Sequence, residues 1–319
     1  MTHASRRIAP RRHACALALA LLPAGLASAQ TVTGRWLLDF EPDGSLQLTL
    51  KQREFGHGNM WQSSDEYRLE DFKGLTRPQG SAEVPVTFDM VRDAGTVQFE
   101  GQLSSSGGAG RFTFTGNPAF AEELQKRGSG KPHRDELFSL AVHDVSLKLI
   151  SELDGLGYHR VPYEDLLSMR IHGAGPNFIR ALKDLGYTGL SPDDLVSMRI
   201  HGADPEFIEE LKKLGYSDLS ADDLVSMRIH GATPEFASAM KALGYGRLDP
   251  DELMSMRIHG VTPEFARDIK ALGFSDVSPD DLVSMRIHGV SVEFAKKIKA
   301  RDPQVTVDDL VSMRIHGRS

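Results

Sequence analysis

The chain has 319 residues, 37 of them Lys or Arg and 44 Asp or Glu, with a single cysteine, Cys15. That length holds two domains. One cysteine excludes a disulfide framework, so stability must come from packing, and an acidic balance disfavours phosphate backbones and anionic lipid surfaces as partners.

Residues 1–29 read as a cleavable secretory leader. Arg6, Arg7, Arg11 and Arg12 precede a short apolar run from Ala14 to Leu22, and Ala27-Ser28-Ala29 forms a small-x-small cleavage pattern before Gln30. The Ser5-Arg6-Arg7 triplet leaves twin-arginine export open beside ordinary secretion. With the leader gone, 33 basic residues face 44 acidic ones, a net charge of −11. Cys15 leaves with it, and no later segment is apolar for long enough to span a bilayer. The sequence therefore predicts a periplasmic or secreted protein.

Residues 30–116 predict a small antiparallel β domain. Trp36 to Phe40 and Leu46 to Leu50 read as strands around a Pro42-Asp43-Gly44 turn, and Val84 to Val91, Thr96 to Leu103 and Gly110 to Thr115 as three more. The joins are Asp93-Ala94-Gly95 and the Ser/Gly stretch 104–110, with Gly107 to Gly110 read as loop. Residues 55–83 read as a long irregular connection.

From residue 117 to 319 the chain is repetitive. Met-Arg-Ile-His-Gly occurs six times, with histidines at 172, 201, 230, 259 and 288 spaced by 29 residues and a last one at 316. His143 and the segment from Asn117 extend the register backwards through degenerate copies, giving about seven repeats. Each repeat predicts two short helices. The first starts at a cap-Pro pair such as Asp204-Pro205 or Thr233-Pro234, presents Phe265, Ile269 and Leu272 at helical spacing, and stops at Gly273. The second starts at Ser278-Pro279, carries two first-turn carboxylates that suit the helix dipole, and ends at Gly289. Helices this short are marginal alone and must stack. The fold class expected is therefore α+β multidomain, a small antiparallel sheet followed by an α-solenoid, HEAT-like by analogy.

Three readings of the repeated motif follow. On a helical wheel of about 100° per residue, Arg286 falls inside the arc of Leu282, Val283, Met285 and Ile287. A guanidinium placed there needs a partner. This predicts a structural ladder in which Arg170, Arg199, Arg228, Arg257, Arg286 and Arg314 pair with first-turn carboxylates of adjacent repeats, among them Asp193, Asp222 and Asp280. The alternative is a soft-metal site for Cu or Ag built on Met-x-x-His pairs: Met169 with His172, Met198 with His201, Met227 with His230, Met256 with His259, Met285 with His288 and Met313 with His316. Met285 lies in the apolar arc, where it reads more simply as core, and His288 as a helix-end residue. The stretch Ile258 to Ala266 also resembles a DNA-binding helix-hairpin-helix, although the net charge opposes it.

No Gly-x-Ser-x-Gly or His-Glu-x-x-His motif is present, and Gly128-Ser129-Gly130-Lys131 lacks the remainder of a phosphate loop. The sequence thus predicts a non-enzymatic protein without a cofactor, whose helical surface meets a protein or cell-envelope partner. The repeats, together with Ala109-Gly110-Arg111-Phe112-Thr113-Phe114, resemble exported segments that accompany BlaR-type antirepressor metalloproteases of bacteria. The resemblance covers residues 31–319 and implies an accessory role in envelope-stress or antibiotic sensing. The membrane helices and metalloprotease motif of that family are missing from this sequence, so no catalytic residue carries over.

Overall fold

The computed structural model describes residues 31–53 and 60–317; the expected leader lies outside them. A six-stranded antiparallel sheet precedes fourteen α-helices among the described residues. They form two compact units, one of residues up to Val91 with Gly95–Asn117 and His133–Phe138, the other of Arg92–Ala94, Pro118–Pro132 and everything from Ser139. No described helix is long and apolar enough to cross a membrane.

The strands are β1 (Thr31–Phe40), β2 (Leu46–Arg53), β3 (Met60–Tyr67), β4 (Val84–Arg92), β5 (Gly95–Leu103) and β6 (Gly107–Gly116). Their order is β3-β2-β1-β6-β5-β4, two meanders joined through β1 and β6. Alternation puts Trp36, Leu38, Leu48, Leu50, Phe88, Val97, Phe99, Phe112 and Phe114 into one buried face. Phe88 stacks on Phe99 at 4.7 Å, and Trp36 meets Phe88 edge-on at 5.4 Å.

Two expectations are corrected here. β3 lies inside the stretch read as irregular. Its sequence, Met-Trp-Gln-Ser-Ser-Asp-Glu-Tyr, is polar because it is an edge strand. Its register on β2 is held by the backbone and by side chains such as Gln47, whose Nε2 donates to Ser64 Oγ at 2.9 Å. Gly107 to Gly110 are also strand, not loop. A Cβ on Gly110 would stand 2.0 Å from the Glu100 carbonyl and 2.6 Å from Trp36 Nε1. The indole lies across this backbone and donates to the Glu100 carbonyl at 3.1 Å, so glycine is required for close approach rather than for turning.

The helices are α1 (Pro118–Arg127), α2 (Arg134–Val142), α3 (Leu147–Gly155), α4 (Tyr163–His172), α5 (Pro176–Asp184), α6 (Pro192–His201), α7 (Pro205–Lys213), α8 (Ala221–His230), α9 (Pro234–Met240), α10 (Pro250–Ile258), α11 (Pro263–Ala271), α12 (Pro279–Ile287), α13 (Val292–Arg301) and α14 (Val307–Ile315). From α3 onward, odd helices pack on odd and even on even, so the repeats form two rows. The caps are as the sequence predicts. Asp204 accepts from Phe207 N at 2.9 Å, Ser278 and Asp281 form a capping box, and Gly202 takes the left-handed conformation at φ 72°. α5 and α7 bury a Phe-Ile-Leu face, as Phe207, Ile208 and Leu211 do in α7, and α9 and α11 a variant with Ala for one member, whereas the even helices from α4 to α12 bury a narrow Leu-Met pair, such as Leu224 and Met227 in α8.

The tyrosines after α5 and α7 reach forward to a backbone carbonyl of the next repeat: Tyr187 Oη donates to Leu219 O at 3.0 Å and Tyr216 Oη to Leu248 O at 2.6 Å. Tyr245, at the same register after α9, is the last residue of a π-turn at Lys241–Tyr245, and its buried hydroxyl meets no partner among the described residues. Burial, with Asp281 second, pushes its pKa up to about 12. An unmade bond and a made one predict opposite responses. Tyr245→Phe should leave the urea unfolding midpoint unchanged or raised, whereas Tyr216→Phe should cost about 1–3 kcal/mol; equal losses would contradict the assignment. In the sheet, Gly110→Ala should cost about 1–3 kcal/mol through overpacking, whereas Gly80→Ala, whose new Cβ has its nearest neighbour at 4.0 Å, should be neutral in the same assay.

Candidate docking face

The repeated arginines do form a ladder, but not with the expected carboxylates. Arg170 Nε donates to the His143 carbonyl at 2.8 Å, Arg199 to His172 O at 3.4 Å, Arg228 to Gly202 O at 2.5 Å and Arg257 to Gly231 O at 2.9 Å. Each acceptor belongs to the C-terminal end of the preceding even helix, where carbonyls lack intrahelical partners and the dipole is negative. The same guanidinium lies over a phenyl ring of the odd helix between them. The distances are 5.0 Å for Arg199 over Phe178, 4.2 Å for Arg228 over Phe207, 5.1 Å for Arg257 over Phe236, 5.2 Å for Arg286 over Phe265 and 5.1 Å for Arg314 over Phe294.

Arg228 adds an ion pair at 3.8 Å, to the cap residue Asp204. Among the described residues, no ion pair joins an arginine to Asp193, Asp222 or Asp280, all three of which are exposed. The wheel assigned Leu, Val, Met and Ile to one arc, whereas only Leu and Met are buried. The arginine therefore lies beside the core rather than within it, within reach of the previous repeat.

The odd row is clamped in the same manner. Lys183 Nζ donates to Leu156 O at 2.6 Å, Lys270 Nζ to Leu243 O at 2.7 Å, and Lys212 Nζ to Leu185 O. Lys270 also lies 4.0 Å from the centre of the Tyr245 ring. At the start of the array Leu149 stands where later repeats have Phe, so Arg170 has no ring beneath it. A cleft of about 260 Å³ opens there, lined by Leu149, Met169, Arg170, Gly173 and Phe178. Asp144 takes a left-handed φ of 52° where later repeats have glycine, and its carboxylate faces Arg170 at 3.6 Å.

The Met-x-x-His pairs separate. Met169, Met198, Met227, Met256 and Met285 are at most 2% exposed and fill the core, while His172, His201, His230, His259 and His288 are exposed. Met313 is half-buried and His316 exposed, its Nδ1 2.8 Å from the Ser312 carbonyl. Thioether and imidazole thus do not converge on a shared site. No group of three His, Cys, Asp or Glu side chains that could hold a metal occurs among the described residues.

Isoleucine is the residue whose place was missed. Ile171, Ile200, Ile229, Ile258, Ile287 and Ile315 are 50–56% exposed, one per even helix from α4 to α14, at one register. Along the outer face of α6, exposed Asp193, half-buried Val196 and exposed Ile200 follow at i, i+3 and i+7, and His201 closes the C-terminal end. The pattern recurs as Asp222, Val225, Ile229 and His230 in α8, and as Asp280, Val283, Ile287 and His288 in α12. The outer side of the even row is therefore banded. A carboxylate margin, an apolar band and a margin of imidazole and guanidinium donors run across successive repeats. A single exposed isoleucine means nothing, but six at one register form a patch of the kind that marks an interaction site.

Neither a known family, nor a characterised protein, nor a solved structure matches this chain. The clamp carries its own test. Arg228→Met removes a charged donor and a stacking cation and should cost about 1.5–3 kcal/mol; Arg228→Lys should recover part of it, and Lys241→Met, on an exposed side chain, should cost little. Equal unfolding midpoints for Arg228→Met and Lys241→Met would refute the ladder.

Proposed function

We propose that this chain is a non-enzymatic exported protein that binds a protein or cell-envelope partner on the outer face of its even helices. The observation that carries the reading is the row of isoleucines at 50–56% exposure in six successive repeats. Serine or lysine would serve the outer face of a short helix equally well, so burial inside the fold does not account for the choice. Stacked repeats generate extended surfaces on which small contacts add over many units. The leader supports export, and the resemblance to segments accompanying antirepressor metalloproteases supports an accessory role at the envelope. Buried methionines and an acidic surface favour neither soft-metal sequestration nor nucleic-acid binding.

The test is site-specific photo-crosslinking in cells of the source organism. A benzophenone side chain at position 229 should give a discrete protein adduct on a chain that begins at Gln30. The same group at exposed Glu209, on the odd helix α7, should not. Ile200→Asp with Ile258→Asp should abolish the adduct. Equal labelling at 209 and 229, or none at 229, would overturn the reading.

A further inference from the structure

We infer that the cleft at the first junction of the array binds a small molecule carrying one planar aromatic ring, which takes the place that a phenyl side chain holds at the later junctions. The inference is independent of the docking face and concerns the helical unit alone.

The repeat itself shows what the cleft lacks. Phe178, Phe207, Phe236, Phe265 and Phe294 stand at one register, and a guanidinium lies over each at 4.2–5.2 Å. The same register one repeat earlier holds Leu149. Other parts of that junction are regular. Ser146 caps α3 by accepting from Leu149 N at 3.2 Å, and Lys183 Nζ closes the end of α3 on Leu156 O at 2.6 Å. Capping and clamping are thus kept where the ring is not. In the place of the ring is a cleft of about 260 Å³, lined by apolar Leu149, Leu153 and Met169 together with Arg170 and Phe178.

Arg170 is already placed to cover a ring. Its Nε donates to the His143 carbonyl at 2.8 Å, as its counterparts do to the helix ends before them, and the Asp144 carboxylate lies 3.6 Å from its Nη2. A cation fixed in advance loses little freedom when a ligand arrives, and the negative face of an aromatic ring is attracted to it. The mouth is open. Gly175 and Asn177 border it where the next odd helix carries Asp204 and Glu206. A Cβ on Gly175 would meet no atom within 4 Å, so this edge is not crowded. Glu152, also at the cleft, is paired with Arg180 at 3.6 Å.

Size sets the class of ligand. An apolar cavity of about 150 Å³ takes up benzene, and clefts that enclose most of a drug-sized molecule run to about 300–1,000 Å³. At about 260 Å³ the cleft suits one ring with a short substituent.

The experiment uses the mature chain, residues 30–319, with carbon-13 methionine methyls, and indole as the probe. Titration should move the Met169 methyl resonance in nuclear magnetic resonance spectra through the ring current. The Met227 methyl, whose junction already holds Phe207, should stay in place. Cyclohexanol, of similar size without a π face, should bind roughly two- to fivefold more weakly. Leu149→Phe supplies the ring from the chain and should abolish the response to indole. Phe207→Leu opens the equivalent place beneath Arg228 and should add a response at Met227; it tests the same idea should Leu149→Phe fail to fold. N-acetyltryptophanamide, which carries main chain on either side of the ring, should bind more weakly than indole. Tighter binding of the amide would assign the ring to a polypeptide and overturn the small molecule as ligand. No shift at Met169 up to the solubility limit of indole, equal affinity for cyclohexanol, or an undiminished response in folded Leu149→Phe would each overturn the site.

Discussion

From Arg170 to Lys270, a cation of one repeat closes a helix end of the repeat before it, and the stacking of the array depends on that contact. Short helices leave C-terminal carbonyls unpaired, and their dipoles concentrate partial negative charge there. Arg228 on Gly202 O and Lys212 on Leu185 O answer this in the two rows. Because the acceptor belongs to the preceding repeat, a local need of each helix becomes the bond that stacks neighbours. The phenyl ring beneath the guanidinium holds the planar fork over the junction, and a lysine offers no equivalent plane there.

The same contact explains where the repeat pattern bends. Asp144 replaces glycine at the first junction and takes a left-handed backbone; its carboxylate lies between Arg92 at 3.4 Å and Arg170 at 3.6 Å, where Leu149 stands in place of a ring. At the other irregularity, the π-turn at Lys241–Tyr245, Lys241 is exposed and Arg247 lies over Tyr216 instead, 5.1 Å from the ring centre. Tyr245 is left with a buried, unpartnered hydroxyl. An array with nearest-neighbour contacts confines such a defect to one interface, since stability is close to a sum over repeats and their junctions.

Much of this was legible in the sequence. Period, caps and stops lie in contiguous residues, and local hydrogen bonds at Ser278, Asp204 and Gly202 decide them. The arginine's need for a partner was also legible; its identity was not, because a backbone carbonyl leaves no trace in residue type. The wheel failed for a definite reason. Leu282, Val283, Met285 and Ile287 are all apolar, and hydrophobicity alone cannot divide them between a buried arc and an outer one. The glycines of β6 misled in the opposite sense, since they serve the indole of Trp36 across the sheet rather than a turn within it. The strand β3 hid because an edge strand carries few apolar residues.

The two helix rows divide the work. Odd helices such as α7 put a broad apolar face of Phe207, Ile208 and Leu211 inward and keep carboxylates such as Glu206 and Glu209 outside, as a helix does when its task is to fold. Even helices fold on two residues, Leu and Met, and carry a second apolar set, Val and Ile, on the side away from the core. That second set adds exposed apolar surface in every repeat and contributes little to burial, so the intramolecular fold gives no reason for its recurrence. A feature repeated six times that burial within the fold does not explain supports the docking role proposed for this face.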